Sequence, residues 1–452
     1  MDRHPAAISR SADQSLFYSW LCLLVWLPLP LGSNRVWAAS LFTCVSVILL
    51  SLWCVQFLRN RVAAPITFTK AWPLLALFIA SALWVTWQGL SWQGIGGFSL
   101  DSSATRQQAT LSWGLISFLA LALLLLNSQT RLRWTVYTLV ISGTFQAVYG
   151  SLMTLSGAEY LFFVPKDSYT GVATGTFVNR NHLAGYLVIC LSMGLGMMIA
   201  TLKSEPSGNW RNRLRRWMTA LLGKKILLRI ALAIMVIGLV LTHSRMGNSS
   251  FFIAMMVTGC LALLLSRRAS RATVILLSSL LVIDIFLVGT FFGIEKVVDR
   301  LETTSSHRET RDEVDIYSIK LLETHLAEGT GAGTFYTSFP KYRGGDIRIF
   351  YDHAHNDYLE FLSERGLIGF IPLLLAVVVT FAVAIRAQWK RRNPLMRGLS
   401  FGCLMSMIAM GLHATVDFNL QIPANAASFM LVLAFGWISL FYETRSKRSR
   451  AG

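Results

Sequence analysis

The chain has 452 residues, of which 54% are hydrophobic and only 14% charged, with a formal charge of +18. Soluble domains carry charge on about a quarter of their residues, so a soluble globular protein is excluded. A strongly basic chain raises nucleic acid as a partner, but here the charge follows the spacing of the apolar runs, and no nucleic-acid partner is expected.

In chain order, the opening "MDRHPAAISR" reads as the lead into a retained first span, because the apolar run after it lacks a small-residue cleavage site. Runs of about 17–25 apolar residues, the length a bilayer requires, recur to the far end. They fall at roughly 15–31, 36–58, 71–89, 109–127, 134–155, 182–202, 226–242, 249–265, 272–293, 366–386, 397–416 and 424–441. The fold expected is thus an all-α integral-membrane protein of about twelve transmembrane helices, a single polytopic domain over 1–452. With both termini in the cytoplasm, Arg59, Arg61, Arg131, Arg133, "NWRNRLRRW", "SRRASR", "RAQWKRRNPLMR" and "RSKRSR" all fall inside. That is the positive-inside rule. Cys22, Cys44, Cys54, Cys190, Cys260 and Cys403 all lie in spans, so neither a disulfide framework nor a cysteine metal site is expected.

The outer segments are unequal, and 294–365 is a long periplasmic loop with short amphipathic helices. A helix is predicted over roughly 308–327, where Val314, Tyr317 and Leu321 form an apolar stripe. "EGTGAGTFYTSFPKYRGG" follows as a glycine-rich turn region. No βαβ pattern surrounds it, so it is a poor nucleotide motif. Then comes "YDHAHNDYLEFLSERGLIGF". Asp357 and Glu360 fit a helix-opening D-x-x-E, and Gly366 fits a stop. The helix between is expected at the membrane surface, half buried on Tyr358, Leu359, Phe361 and Leu362.

Arg180, Arg245 and Asp417 sit at outer span ends, level with His353, His355, Asn356 and Asp357. The arrangement would build a cationic, imidazole-bearing cavity on one face. Arginine offers a planar fork of donors suited to phosphate, and histidine is the natural base near neutral pH. Arg180 and Arg245 could equally snorkel to headgroups, and His355 could anchor a surface helix. Asp417 either orients a histidine, binds sugar hydroxyls or is structural. Asp284, deep in a span, reads as a proton relay or a hydrogen-bonded packing residue.

"HNDYLEFLSERGLIGF", with "GTGAGTF" and "SRMG" before it, resembles the O-antigen ligase and O-antigen/exopolysaccharide polymerase superfamily, best over roughly residues 170–420. His355, Asn356 and Leu359 carry the most specific element, H-N-x-x-L; Ser244 and Arg245 carry a shorter one. The resemblance implies a GT-C-like protein of the bacterial inner membrane, its active site facing the periplasm. It implies a metal-independent, inverting glycosyl transfer without cofactor. The donor would be an undecaprenyl-diphosphate-linked glycan, and the acceptor a glycan or lipid A–core. His355 corresponds to the base, and Arg180 and Arg245 to the diphosphate-holding pair. His353, Asn356 and Asp417 are candidates for supporting catalysis, and a second histidine leaves the base open between His353 and His355. An O-antigen ligase is the leading reading, ahead of a polymerase or a protein O-oligosaccharyltransferase. A transporter or flippase ranks below them, because the ionisable groups gather at one face and no internal repeat is evident.

Overall fold

A computed structural model describes residues 5–90, 97–162, 164–201, 224–265, 311–347 and 350–443. The ninth expected span, 272–293, and Asp284 within it lie outside these residues. The described chain is mostly helical, and its strand pairing is a short antiparallel hairpin that pairs Tyr160 with Pro165 and Leu161 with Val164. Among the described residues, eight helices are long and apolar enough to cross a membrane.

The chain divides into two compact units. The first takes residues 1–125, 292–380 and 411–431 as far as they are described. It contains α1 (Pro5–Trp26), α2 (Val36–Leu58), α3 (Ile66–Lys70), α4 (Trp72–Gly89) and α5 (Ser102–Leu125). α1 stops short of the expected residue 31 because Pro28 and Pro30 follow it, and proline removes an amide donor and disfavours helix before it. α5 starts seven residues before the expected 109, since Asp101 Oδ1 accepts from the amides of Ser103 and Ala104, both at 3.0 Å. α5 packs along α2 and α4.

The second unit takes residues 126–291, 381–410 and 432–452. It holds α6 (Gln129–Ser156), α7 (Arg180–Ala200), α8 (Lys224–Leu241) and α9 (Arg245–Leu264). α6 is capped by the Ser128 hydroxyl on the Arg131 amide at 3.2 Å and ends at Gly157, whose φ of 69° only glycine adopts freely. It packs against α7 and α8.

The long loop expected over 294–365, where it is described, forms α10 (Arg311–Thr324) and a short α11 (Phe335–Ser338). The predicted stripe is buried: Val314 and Leu321 join Phe335, Phe339, Ile347 and Ala354 in one cluster, with Tyr317, Tyr342 and Tyr351 against it. The sequence marked α10 but not this small separate core. Then come α12 (Asp357–Lys390), α13 (Pro394–His413) and α14 (Pro423–Phe441).

α12 is broken at Gly366, with φ 62° and ψ −178°, a conformation essentially restricted to glycine. The glycine-rich turn fills the break. The Thr330 and Gly331 amides donate to the Ser363 and Glu364 carbonyls, both at 2.9 Å. Gln88 Nε2 also reaches the Glu364 carbonyl at 3.0 Å, and Trp84 Nε1 reaches that of Arg365 at 2.8 Å. Beyond the break, the Leu367 and Ile368 amides donate to the Leu326 and Ala327 carbonyls at 2.9 and 3.3 Å. The groups orphaned by a helix end thus find partners on the loop and on α4. A Cβ on Gly329 would strike the Glu364 carbonyl, and one on Gly366 that of Ala327. "GTGAGTF" is a backbone plug.

The first two turns of α12 reverse the expected amphipathic burial. Asp357, Glu360, Ser363, Glu364 and Arg365 are the buried residues, whereas Tyr358 is 38% exposed and Leu359, Phe361 and Leu362 are intermediate. The polar groups turn inward because partners wait there, as the site shows.

Candidate functional site

The histidine loop belongs to the first unit. Asn356, rather than Asp357, caps α12: its Oδ1 accepts from the amides of Tyr358 and Leu359 at 3.2 and 3.3 Å. Asp357 instead ties the loop before α14 to this helix start. Its amide donates to the Ala414 and Asp417 carbonyls at 2.9 and 3.2 Å, and its Oδ2 accepts from the Leu420 amide at 3.0 Å. Glu360 does not complete a capping box at the helix start either. Its two oxygens hold His353 Nδ1 at 2.6 Å and the Ala354 amide at 2.9 Å.

Both histidines pack against the Phe418 ring. His353 stacks on that ring, centroids 4.0 Å apart at 13°, while His355 meets it edge-on at 4.9 Å and 75°. Burial alone would lower the His353 pKa, but the charge and hydrogen bond of Glu360, with Asp352 and Glu364 nearby, hold it up to about 9. His353 is therefore an imidazolium at neutral pH, engaged with a buried carboxylate, and has no lone pair to accept a proton. His355 has φ 55°, an unusual left-handed conformation for a non-glycine residue. Its Nδ1 lies 3.6 Å from Asp417 Oδ1, an ion-pair distance longer than a hydrogen bond. Catalytic pairs are often this long before substrate arrives. Asp417 is fully buried and accepts from the Phe418 amide at 2.9 Å. Of the sequence candidates, His355 and Asp417 are thus brought together, His353 is engaged elsewhere, and Asn356 spends its oxygen on the cap.

The arginine corner belongs to the second unit. Arg180 and Arg245 are the first residues of α7 and α9. Asn179 Oδ1 accepts from the Asn181 amide at 2.8 Å, and Ser244 Oγ from that of Gly247 at 3.2 Å. The turn before α7 is pinned to α6 by Gln146, which accepts from the Thr176 amide at 2.8 Å and donates to its hydroxyl at 2.9 Å. Gly247 packs so closely on α7 that an added Cβ would lie 2.6 Å from the Ala184 Cβ. Both arginines therefore open neighbouring helices at adjoining ends, where amide dipoles already favour an anion. Arg245 is exposed and Arg180 intermediate. His182 is buried, and His243 turns the chain at φ 52°.

Sequence reasoning missed Glu360 and Glu364 as buried partners, and Phe418 as the ring on which both histidines pack. "DFNLQIP" drew attention only through Asp417, although an aromatic beside a span-end carboxylate was a usable signal. Among the described residues, no three His, Cys, Asp or Glu side chains gather in a way that could hold a metal ion.

Residues 230–374 match the family model described as O-Antigen ligase. The match takes in Ser244, Arg245, the glycine plug and the histidine loop through Asn356, and stops before Asp417. No curated protein matches the chain. Over that stretch the chain is similar to the O-antigen ligase-related superfamily, glycosyl-transferring membrane proteins.

Proposed function

We propose that the protein is a membrane glycosyltransferase of O-antigen ligase type, moving a glycan from undecaprenyl diphosphate to an acceptor hydroxyl at the periplasmic face of the inner membrane. The observation that carries this reading is the His355–Asp417 pair, buried on one side and held by a left-handed backbone residue. The acceptor hydroxyl oxygen attacks the anomeric carbon, its proton passes to His355, and the carbon–oxygen bond to the diphosphate breaks with its electron pair leaving on phosphate. Asp417 stabilises the imidazolium so formed. Arg180 and Arg245 hold the diphosphate, where fixed donors stabilise developing charge. Inversion follows from a single in-line displacement, and no metal takes part. Lipid A–core is the leading acceptor; a growing polysaccharide or a protein hydroxyl would use the same donor chemistry.

The test is transfer by purified protein in nanodiscs, with lipid-linked donor and core acceptor, in the presence of a chelator. Transfer that requires added zinc or magnesium would contradict the metal-free route. Wild-type activity in Asp417→Ala would remove the pair from the mechanism. Orientation is tested separately: reporters fused after residues 100, 170, 246 and 340 should be periplasmic, and those after 65, 215, 268 and 392 cytoplasmic. A cytoplasmic signal at 340 would sink the periplasmic reading.

A further inference from the structure

Two clefts of the first unit share part of their lining. One, of about 320 Å³, is walled by Asp101, His353, Glu360, Glu364 and Tyr336. The other, of about 380 Å³, is walled by Arg35, Arg106, Asn34 and Thr43. Ser103, Gln107, Gln108 and Gln421 face both. Together the two clefts line a trough along the start of α5, with carboxylates in one cleft and guanidiniums in the other.

Its walls hold polar atoms that the protein leaves unsatisfied. Glu364 Oε2, Gln421 Nε2 and Thr43 Oγ1 are buried and have no hydrogen-bond partner. The three residues are only 1%, 8% and 7% exposed. A buried polar group left without a partner costs about 1–3 kcal/mol, so an acceptor, a donor and a hydroxyl gathered in one trough point to a ligand with both donors and acceptors. The glutamines and Tyr336 add further groups of the same kind. Asp101 is kept ionised: the Tyr336 hydroxyl donates to it at 2.5 Å, which with the Ala104 amide holds its pKa below the usual carboxylate value. Dense, mixed hydrogen bonding of this sort fits sugar hydroxyls, which donate and accept at once.

The acid end reaches His353, and His353 and His355 both contact the Phe418 ring. We propose that the trough binds the acceptor saccharide, its hydroxyls on Glu364, Gln421, Gln107 and Gln108, and an anionic substituent at Arg35 and Arg106. This rests on the transfer reading above and adds to it the acceptor class, a hydroxyl-rich saccharide carrying a carboxylate or a phosphate. Carboxylates at one end and guanidiniums at the other would fix the direction in which such a saccharide lies.

The experiment measures binding, without donor and without turnover. Wild-type protein in nanodiscs is titrated with maltotriose, trigalacturonate, a maltotriose phosphate and inorganic phosphate. The charged trisaccharides should bind at least about tenfold more tightly than maltotriose, as a charge-assisted contact implies. The double variant Arg35→Ala, Arg106→Ala should erase that preference and leave maltotriose binding unchanged. Gln421→Ala should weaken all three saccharides by about tenfold, one hydrogen bond to a buried group, and Gln421→Glu controls for side-chain volume. Trigalacturonate above maltotriose phosphate would identify a carboxylate as the substituent, and the reverse order a phosphate. Absence of saccharide binding, equal affinities in wild type and variants, or inorganic phosphate binding as tightly as the charged trisaccharides would overturn the proposal. If the binding pattern holds while the wild type transfers no glycan, the transfer reading fails and the trough stands. If transfer holds and the pattern fails, the trough alone is wrong.

Discussion

The histidine loop and the arginine corner handle charge in opposite ways. In the loop, Glu360 is spent on His353 and an amide, Asp357 on the Leu420 amide, and Asn356 on a helix cap. Only the His355–Asp417 pair is held at 3.6 Å, short of a hydrogen bond. In the corner, the two arginines stand on helix starts built by local caps and a close helix contact. A histidine held beside a carboxylate at more than hydrogen-bond distance is suited to proton work. Cations placed on amide dipoles prepare a field for an anion. On the transfer reading we propose, the loop would take the incoming proton and the corner would hold the departing phosphate.

The largest effect should come from removing the proposed base. His355→Ala should lower glycan transfer by about 10²–10⁴-fold, the usual worth of a general base, while donor binding measured by pull-down of lipid-linked glycan stays near wild type. Transfer at the wild-type rate would break the assignment and put both regions back to structural roles. Next come the corner residues. Arg180→Ala and Arg245→Ala should each cost about 10²–10³-fold in turnover, comparable to losing one preorganised donor, and lysine should restore only part of it because bidentate geometry is lost. Full activity in the alanine variants would return the arginines to headgroup contacts.

The smallest effect on rate, and the sharpest on stability, belongs to His353. Its pKa is raised from 6.5 to about 9 in the folded protein, so its stabilising contribution is complete below about pH 6.5 and lost as the pH rises through about 9. His353→Gln should cost on the order of 2 kcal/mol at pH 6.5, discounted for partial exposure, and the gap should close by pH 10. Thermal unfolding across that range measures it. A gap that widens with pH would mean the histidine is neutral, and the contrast with His355 would collapse.

What was legible in the sequence follows the reach of the interactions. Helix positions, the α10 stripe and the arginine-bearing helix starts depend on residues within a turn or two, and the local pattern displayed them. The cap on α12 is equally local, yet Asp357 and Glu360 matched a motif whose work Asn356 performs. The reversed burial of Asp357, Glu360 and Glu364 was not legible, because their partners come from 330–335, 353–354 and 414–420. Composition says that "DYLEFLSER" is amphipathic; only tertiary partners decide which side is inside. Likewise the sequence favours His355 over His353 as base, but the Glu360 partner of His353 and the Phe418 ring that both histidines touch appear only in the fold.

The glycine plug also orders events in time. Residues 328–333 leave the ribosome before the helix break that receives them, and their amides dock on carbonyls of residues 363 and 364. The turn therefore waits, unsettled, until the next span has been made and its bend has formed. Seating of the turn is then a late step of biogenesis, and a chain truncated before residue 363 would carry the turn and both histidines but neither those carbonyls nor Asp417 and Phe418.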